Sequence, residues 1–165
     1  MKLYNDTQII GTQGEMLVCV TLQIGELIRI QHLGGVVPAF DIYAELNDKD
    51  HPYPFLIQVK TTNMDTRYKG QGIITPVPDH KLKWLVDRPI PTYVAGYDLI
   101  ELKMYLAPAF NTRVSYSGHI PINHMLELTK PIAAMGVLRQ IKRDVINYWQ
   151  SVNITNHKEY YTSQL

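Results

Sequence analysis

Two short segments joined by a polar turn constrain this chain more than anything else in it. Phe40-Asp41-Ile42-Tyr43-Ala44-Glu45-Leu46 alternates strictly, with Phe40, Ile42, Ala44 and Leu46 on one face and Asp41, Tyr43 and Glu45 on the other. That period of two is the pattern of a half-buried strand. After the turn Asn47-Asp48-Lys49-Asp50-His51-Pro52, the chain returns through Phe55-Leu56-Ile57-Gln58-Val59-Lys60-Thr61. Both runs fit one antiparallel hairpin, which puts Asp41 near Gln58 and Lys60. A lysine in so apolar a strand is costly unless its ammonium meets an anion, and either Asp41 or a bound phosphate would serve.

The surroundings of this hairpin read as alternating helices and strands. Thr12-Gln13-Gly14-Glu15 precedes the apolar run Met16 to Leu22, so the spacing predicts a helix with Thr12 as N-cap and Glu15 as the reciprocal acid of a capping box. Glu15, Cys19 and Leu22 fall at i, i+4 and i+7, which sets the carboxylate on a stripe of buried side chains. Gly25 closes this helix, and Leu27 to Leu33 forms a strand ending at Gly34-Gly35. Beyond the hairpin, Asn63 to Gly72 reads as a loop, and Asp79 caps a short helix through Val86. Two strands follow, Thr92 to Asp98 and Leu102 to Leu106. Pro131 opens a longer helix in which Met135, Leu138, Ile141, Val145 and Tyr148 recur at three or four. The expected architecture is a single α/β domain over residues 1–165 with a mixed sheet and helices on its faces, 122–150 forming a helical C-terminal extension and 151–165 a polar tail.

Composition narrows the function classes. The chain has 165 residues, 45% of them hydrophobic, a formal charge of +1 and one cysteine. A chain of this size buries a core without disulfides or structural zinc, and Cys19 alone could build neither. No segment approaches the roughly 20 apolar residues of a membrane span, and the N-terminus lacks the pattern of a signal peptide, so a cytoplasmic protein with no membrane partner is expected. A net charge of +1 means that any nucleic acid must be held by a local patch. The six histidines include no i, i+4 pair of a helical zinc motif, and Gly11-Thr12-Gln13-Gly14 lacks the lysine of a P-loop. These histidines read as surface and turn residues, and Arg139, Lys142 and Arg143 as the solvated face of the last helix.

The order of elements, Glu15 in a helix, Asp41 on a strand and Gln58-Val59-Lys60 on the next resemble the PD-(D/E)XK nuclease superfamily. Its core is a helix, a three-stranded antiparallel meander, a helix and a further strand. The match is closest to a bacterial branch related to the Mrr-type restriction enzymes, whose last motif reads Gln-Val-Lys-Thr or close to it. Here it reads Gln58-Val59-Lys60-Thr61-Thr62. The resemblance extends through Lys81 to Leu85 and the strand after Pro91, and more loosely through His119 to Ile122.

The resemblance implies a restriction endonuclease-like fold and a Mg²⁺-dependent endodeoxyribonuclease, with Mn²⁺ as a substitute. It makes Asp41, Gln58, Lys60 and Glu15 the catalytic set. Asp41, Gln58, Glu15 and the Val59 carbonyl would be the metal ligands, and Thr61, Thr62, Arg67, Lys69 and Lys81 the contacts to DNA. Double-strand cleavage by this architecture takes two active sites, which a homodimer or a partner protein would supply. Two departures stand out. Phe40 occupies the place of the superfamily's proline, a residue that shapes only the strand entry. Gln58 replaces an acid, so the site loses a negative charge and its cation affinity should fall. That second departure keeps open a nuclease-derived module that binds nucleic acid or assembles with a partner without cleaving, and RNA is the less expected substrate.

Overall fold

The computed structural model describes residues 6–34, 37, 39–48, 51–63, 72–110, 117–121, 126–127 and 131–152. It is an α/β arrangement built on a six-stranded mixed sheet. Helix α1 (Asp6–Leu22) leads through a 3₁₀ turn (Ile24–Glu26) into β1 (Ile28–His32), β2 (Ile42–Leu46) and β3 (Tyr53–Thr62). Then come β4 (Gly72–Pro76), α2 (Asp79–Val86), β5 (Thr92–Asp98), β6 (Lys103–Pro108), β7 (Ser117–Pro121), β8 (Leu126–Glu127) and α3 (Pro131–Ser151). The main sheet runs β1-β2-β3-β5-β6-β8, and β4 and β7 form a separate antiparallel pair.

The hairpin read from alternation is present, with Ile42 opposite Ile57 and Leu46 opposite Tyr53. Strand β5 lies parallel to β3, with Lys60 opposite Gly96. A parallel neighbour needs a crossover, and α2 lies within it. Apolar side chains fill both faces of the central strands. On one face Ile42, Ala44, Phe55, Ile57, Val59, Tyr93 and Leu106 pack with Val18, Cys19 and Leu22 of α1 and Leu138, Ile141 and Val145 of α3. On the other, Val94, Tyr105 and Ala107 pack with Leu82 and Leu85 of α2. The indole N–H of Trp149 donates to the Pro54 carbonyl at 3.0 Å, which ties α3 to the start of β3.

Several expectations are revised. Helix α1 begins at Asp6, so Thr12 is an interior residue and Glu15 belongs to no capping box. The Thr-x-x-Glu spacing imitates a cap, while the chain is already helical a turn and a half earlier. Asp79 is the first residue of α2, and Pro78 holds the cap position without a side-chain bond. Phe40 departs from the face of Ile42: the chain bends at Asp41, and Phe40 packs with the α2 cluster, stacked on Trp84 with ring centroids 5.8 Å apart. The C-terminal third is not a helical extension throughout. Residues 126–127 pair with β6 in the main sheet, and the buried stripe of α3 belongs to the principal core. Helix α1 ends at Leu22, before Gly25, which instead takes a left-handed φ of +78° within the 3₁₀ turn, a conformation most side chains resist.

Candidate functional site

Helix α1 approaches β3 closely. A Cβ on Gly14 would lie 1.8 Å from Thr61 Oγ1 and 2.8 Å from Thr61 Cβ, so only glycine fits there. The contact seats the next residue, Glu15, beside the sheet. The Thr61 hydroxyl is buried in it without a hydrogen-bond partner among the described residues. That corrects the assignment of Thr61 as a DNA contact, because a hydroxyl enclosed by a helix cannot reach a phosphate. Thr62 ends β3 opposite Asp98, and its carbonyl accepts the Leu99 N–H at 3.0 Å.

Asp41 occupies the place where β2 parts from β3. Its backbone N–H still donates to the Ile57 carbonyl at 3.0 Å, but the next ladder partner is replaced by its own side chain. Asp41 Oδ2 accepts the Val59 backbone N–H at 2.7 Å and a short hydrogen bond from Gln58 Nε2. The carboxylate therefore continues the sheet's hydrogen bonding into the gap between the strands. The bend at Asp41 that turned Phe40 over is what aims this side chain.

Alternation along β3 puts Phe55, Ile57 and Val59 in the α1–α3 core. Gln58 and Lys60 consequently point to the face that α2 covers. Gln58 is 3% exposed, and its amide nitrogen also donates to the Val59 carbonyl at 3.2 Å. Glu15 comes from the opposite face, so Asp41 is the group that both faces share.

The charges of these residues act on one another. Burial raises the Asp41 pKa above the ordinary carboxylate range and Glu15 adds to the rise, while the Val59 N–H, Lys60 and Lys81 oppose it. Burial lowers the Lys60 pKa and Lys81 adds to the fall, while Asp41 and Glu15 oppose it. Lys81, in the first turn of α2, thus belongs with the site, whereas Arg67 and Lys69 lie outside the described residues. Cys19, one turn after Glu15, is a buried thiol pushed up to about 11 by burial and by the Glu15 charge, so it is inert as a nucleophile near neutrality.

His32 was not among the expected site residues. Its Nε2 lies 2.6 Å from Glu15 Oε2, with the two side chains 27% and 18% exposed. A signal for it existed in the sequence, because His32 alternates with Ile28 and Ile30, on the side of β1 that faces α1.

Comparison of the chain with protein-family models, with curated proteins and with solved structures gives no match. The chemistry of the site therefore rests on its own donors. Among the described residues, no group of three or more His, Cys, Asp or Glu side chains is placed to hold a metal ion. By kind, the Glu15 and Asp41 carboxylates, the Gln58 amide oxygen and a backbone carbonyl would make an all-oxygen donor set of the sort that hard divalent cations take, but Gln58 turns its nitrogen towards Asp41. The set fits Mg²⁺ in kind but carries only two negative charges. Both acids are also engaged, Asp41 by Gln58 and Val59, and Glu15 by His32. No helix among the described residues is long and apolar enough to cross a membrane.

Proposed function

We propose that this chain is a metal-dependent nuclease acting on DNA, a restriction-like or defence-related member of the PD-(D/E)XK superfamily. The observation that carries this reading is the Asp41 carboxylate, seated in the gap between β2 and β3 and influenced by Glu15, Lys60 and Lys81 together. The succession α1, the antiparallel meander β1-β2-β3, α2 and a strand parallel to β3 supports it, being the order expected of that core with β4 inserted before α2.

Asp41 and Glu15 would hold the cation, with Gln58 turning its amide so that the oxygen replaces the nitrogen now facing Asp41. When bound, a divalent cation polarises a phosphoryl oxygen and lowers the pKa of a coordinated water. Lys60 orients the attacking water and offsets the negative charge that develops on the phosphoryl oxygens. Its lowered pKa eases proton exchange with that water. Lys81 holds a neighbouring phosphate as a point charge, and the contact weakens with salt.

A second reading is favoured by one observation. The Gln58 amide bonded to Asp41 gives the site internal partners that an acid at this position would not provide. On that reading the chain is a nucleic-acid-binding or assembly module. Incubating the protein with supercoiled, linear, single-stranded and branched DNA, and with RNA, plus Mg²⁺ or Mn²⁺, separates the two. The nuclease reading expects metal-dependent cleavage of DNA that disappears in Lys60→Ala. Salt-sensitive binding without cleavage would establish the module, and cleavage surviving in Lys60→Ala would remove Lys60 from the mechanism.

A further inference from the structure

We propose that His32 is the positioning residue for the Glu15 carboxylate, and that residues 32 and 33 together set the two acids of the site. The inference rests on the nuclease reading above. A carboxylate can only accept, so the Nε2 atom at 2.6 Å from Glu15 Oε2 carries the hydrogen. This fixes Oε2 and leaves Oε1 as the oxygen for a cation. A glutamate on a helix otherwise samples several rotamers, and a ligand that wanders binds a cation poorly. The next residue acts on the other acid, since the Leu33 N–H donates to the Asp41 carbonyl at 2.9 Å. In register, His32 pairs with Ile42, the residue after Asp41. The end of β1 thus grips Glu15 through a side chain and Asp41 through the backbone.

The opposing possibility is that the His32–Glu15 contact only staples α1 to the edge strand. A staple would affect stability alone. Titration calorimetry with Mn²⁺ alone, on the full chain, distinguishes the two. His32→Ala should weaken Mn²⁺ binding by about 10- to 100-fold, the usual consequence of losing a group that orients a ligand. His32→Gln, whose amide N–H occupies nearly the position of Nε2, should recover most of the affinity. In a Glu15→Gln background, His32→Ala should cost nothing further, because the residue acts through Glu15.

Undiminished Mn²⁺ affinity in His32→Ala, with a lowered melting temperature, would overturn the proposal and leave the nuclease reading standing. Absence of Mn²⁺ binding by the wild-type chain would overturn the nuclease reading itself, and this inference with it. Should His32→Ala fail to fold, the wild-type protein still decides. Adding Mg²⁺ should shift the ring ¹⁵N resonances of His32 and leave those of exposed His51, at the far end of β3, in place. Unmoved His32 resonances at saturating Mg²⁺ would overturn the proposal.

Discussion

The two halves of β3 share one backbone, the first paired with β2 and the second with β5, yet they bury opposite kinds of group. From Tyr53 to Ile57 the strand contributes Phe55 and Ile57, both fully enclosed, with Phe55 edge-on to Tyr93 at 5.8 Å between ring centroids. From Gln58 to Thr62 it contributes a buried amide, a lysine and an enclosed hydroxyl without a partner among the described residues. The first half stabilises the fold by removing apolar surface from water. The second places polar groups where burial is unfavourable, and each is tolerated because something specific sits beside it. Asp41 answers Gln58 and Lys60, and Gly14 makes room for Thr61. A strand can therefore serve as core at one end and as reactive site at the other, provided its neighbour departs at the right residue. Here that residue is Asp41.

The largest effect should come from the core half. Phe55→Ala removes a fully buried aromatic ring, and changes of this kind cost about 3–5 kcal/mol. Chemical denaturation should show a loss in that range, while the folded fraction keeps its wild-type affinity for Mn²⁺. A large change in that affinity would mean that the two halves are energetically one unit.

Next is Gln58→Glu, which converts the site half towards the acid it departs from. The variant loses the N–H that Asp41 accepts and sets a second carboxyl against the first. Without divalent cation its stability should fall by about 1–3 kcal/mol, the scale of a buried group stripped of its hydrogen bond. Millimolar Mg²⁺ should restore much of the loss by binding the folded state alone, and should raise the melting temperature of the variant more than that of the wild type. Equal responses of the two proteins to Mg²⁺ would show that Gln58 does not face the cation.

An effect of similar size attends Gly14→Ala, which tests the support beneath the site. The new methyl has no room beside Thr61, and overpacking of this type costs about 1–3 kcal/mol. Adding Thr61→Ala removes the two closest atoms and should return part of the stability. A Gly14→Ala protein as stable as the wild type would show that α1 can lift off β3 at no cost.

How far the sequence discloses this molecule depends on whether the information is local. Strand β5 spans Thr92 to Asp98 as its composition indicates, and the buried stripe of α3 follows its spacing. The pair β4 and β7 was not legible, because residues 72–76 find their partners more than forty positions away and Gly72 reads as the end of the preceding loop. Asp41, Gln58 and Lys60 could be assembled because each stands out as polar within an apolar strand. The wrong start of α1 and the wrong face of Phe40 share a cause. A local pattern, a cap spacing in one case and strict alternation in the other, was overridden by a bend or by tertiary packing. His32 was missed because its importance depends on a helix residue seventeen positions earlier, a contact that no spacing rule connects.

The smallest effect should be the pH dependence that Asp41 imposes on stability, and its sign discriminates burial from pairing. Burial raises the folded-state pKa of Asp41, so the protonated form is the better accommodated one. Its contribution to stability is complete below the unfolded-state pKa of about 3.9 and is lost as the pH rises through the higher folded value. Lys60 behaves as the mirror image. Its folded-state pKa is lowered, so its contribution is present above the unfolded value of about 10.4 and is lost as the pH falls through the folded one. Asp41→Asn removes the acid-side titration, so its melting temperature relative to wild type should climb from about pH 4 upward and level off once the wild-type carboxyl is ionised. The climb is small because the Val59 N–H, Lys60 and Lys81 all favour the carboxylate and offset part of its burial. A relative melting temperature that falls over the same range would mean that these partners outweigh burial, and that the charged site half stabilises the fold as the apolar half does.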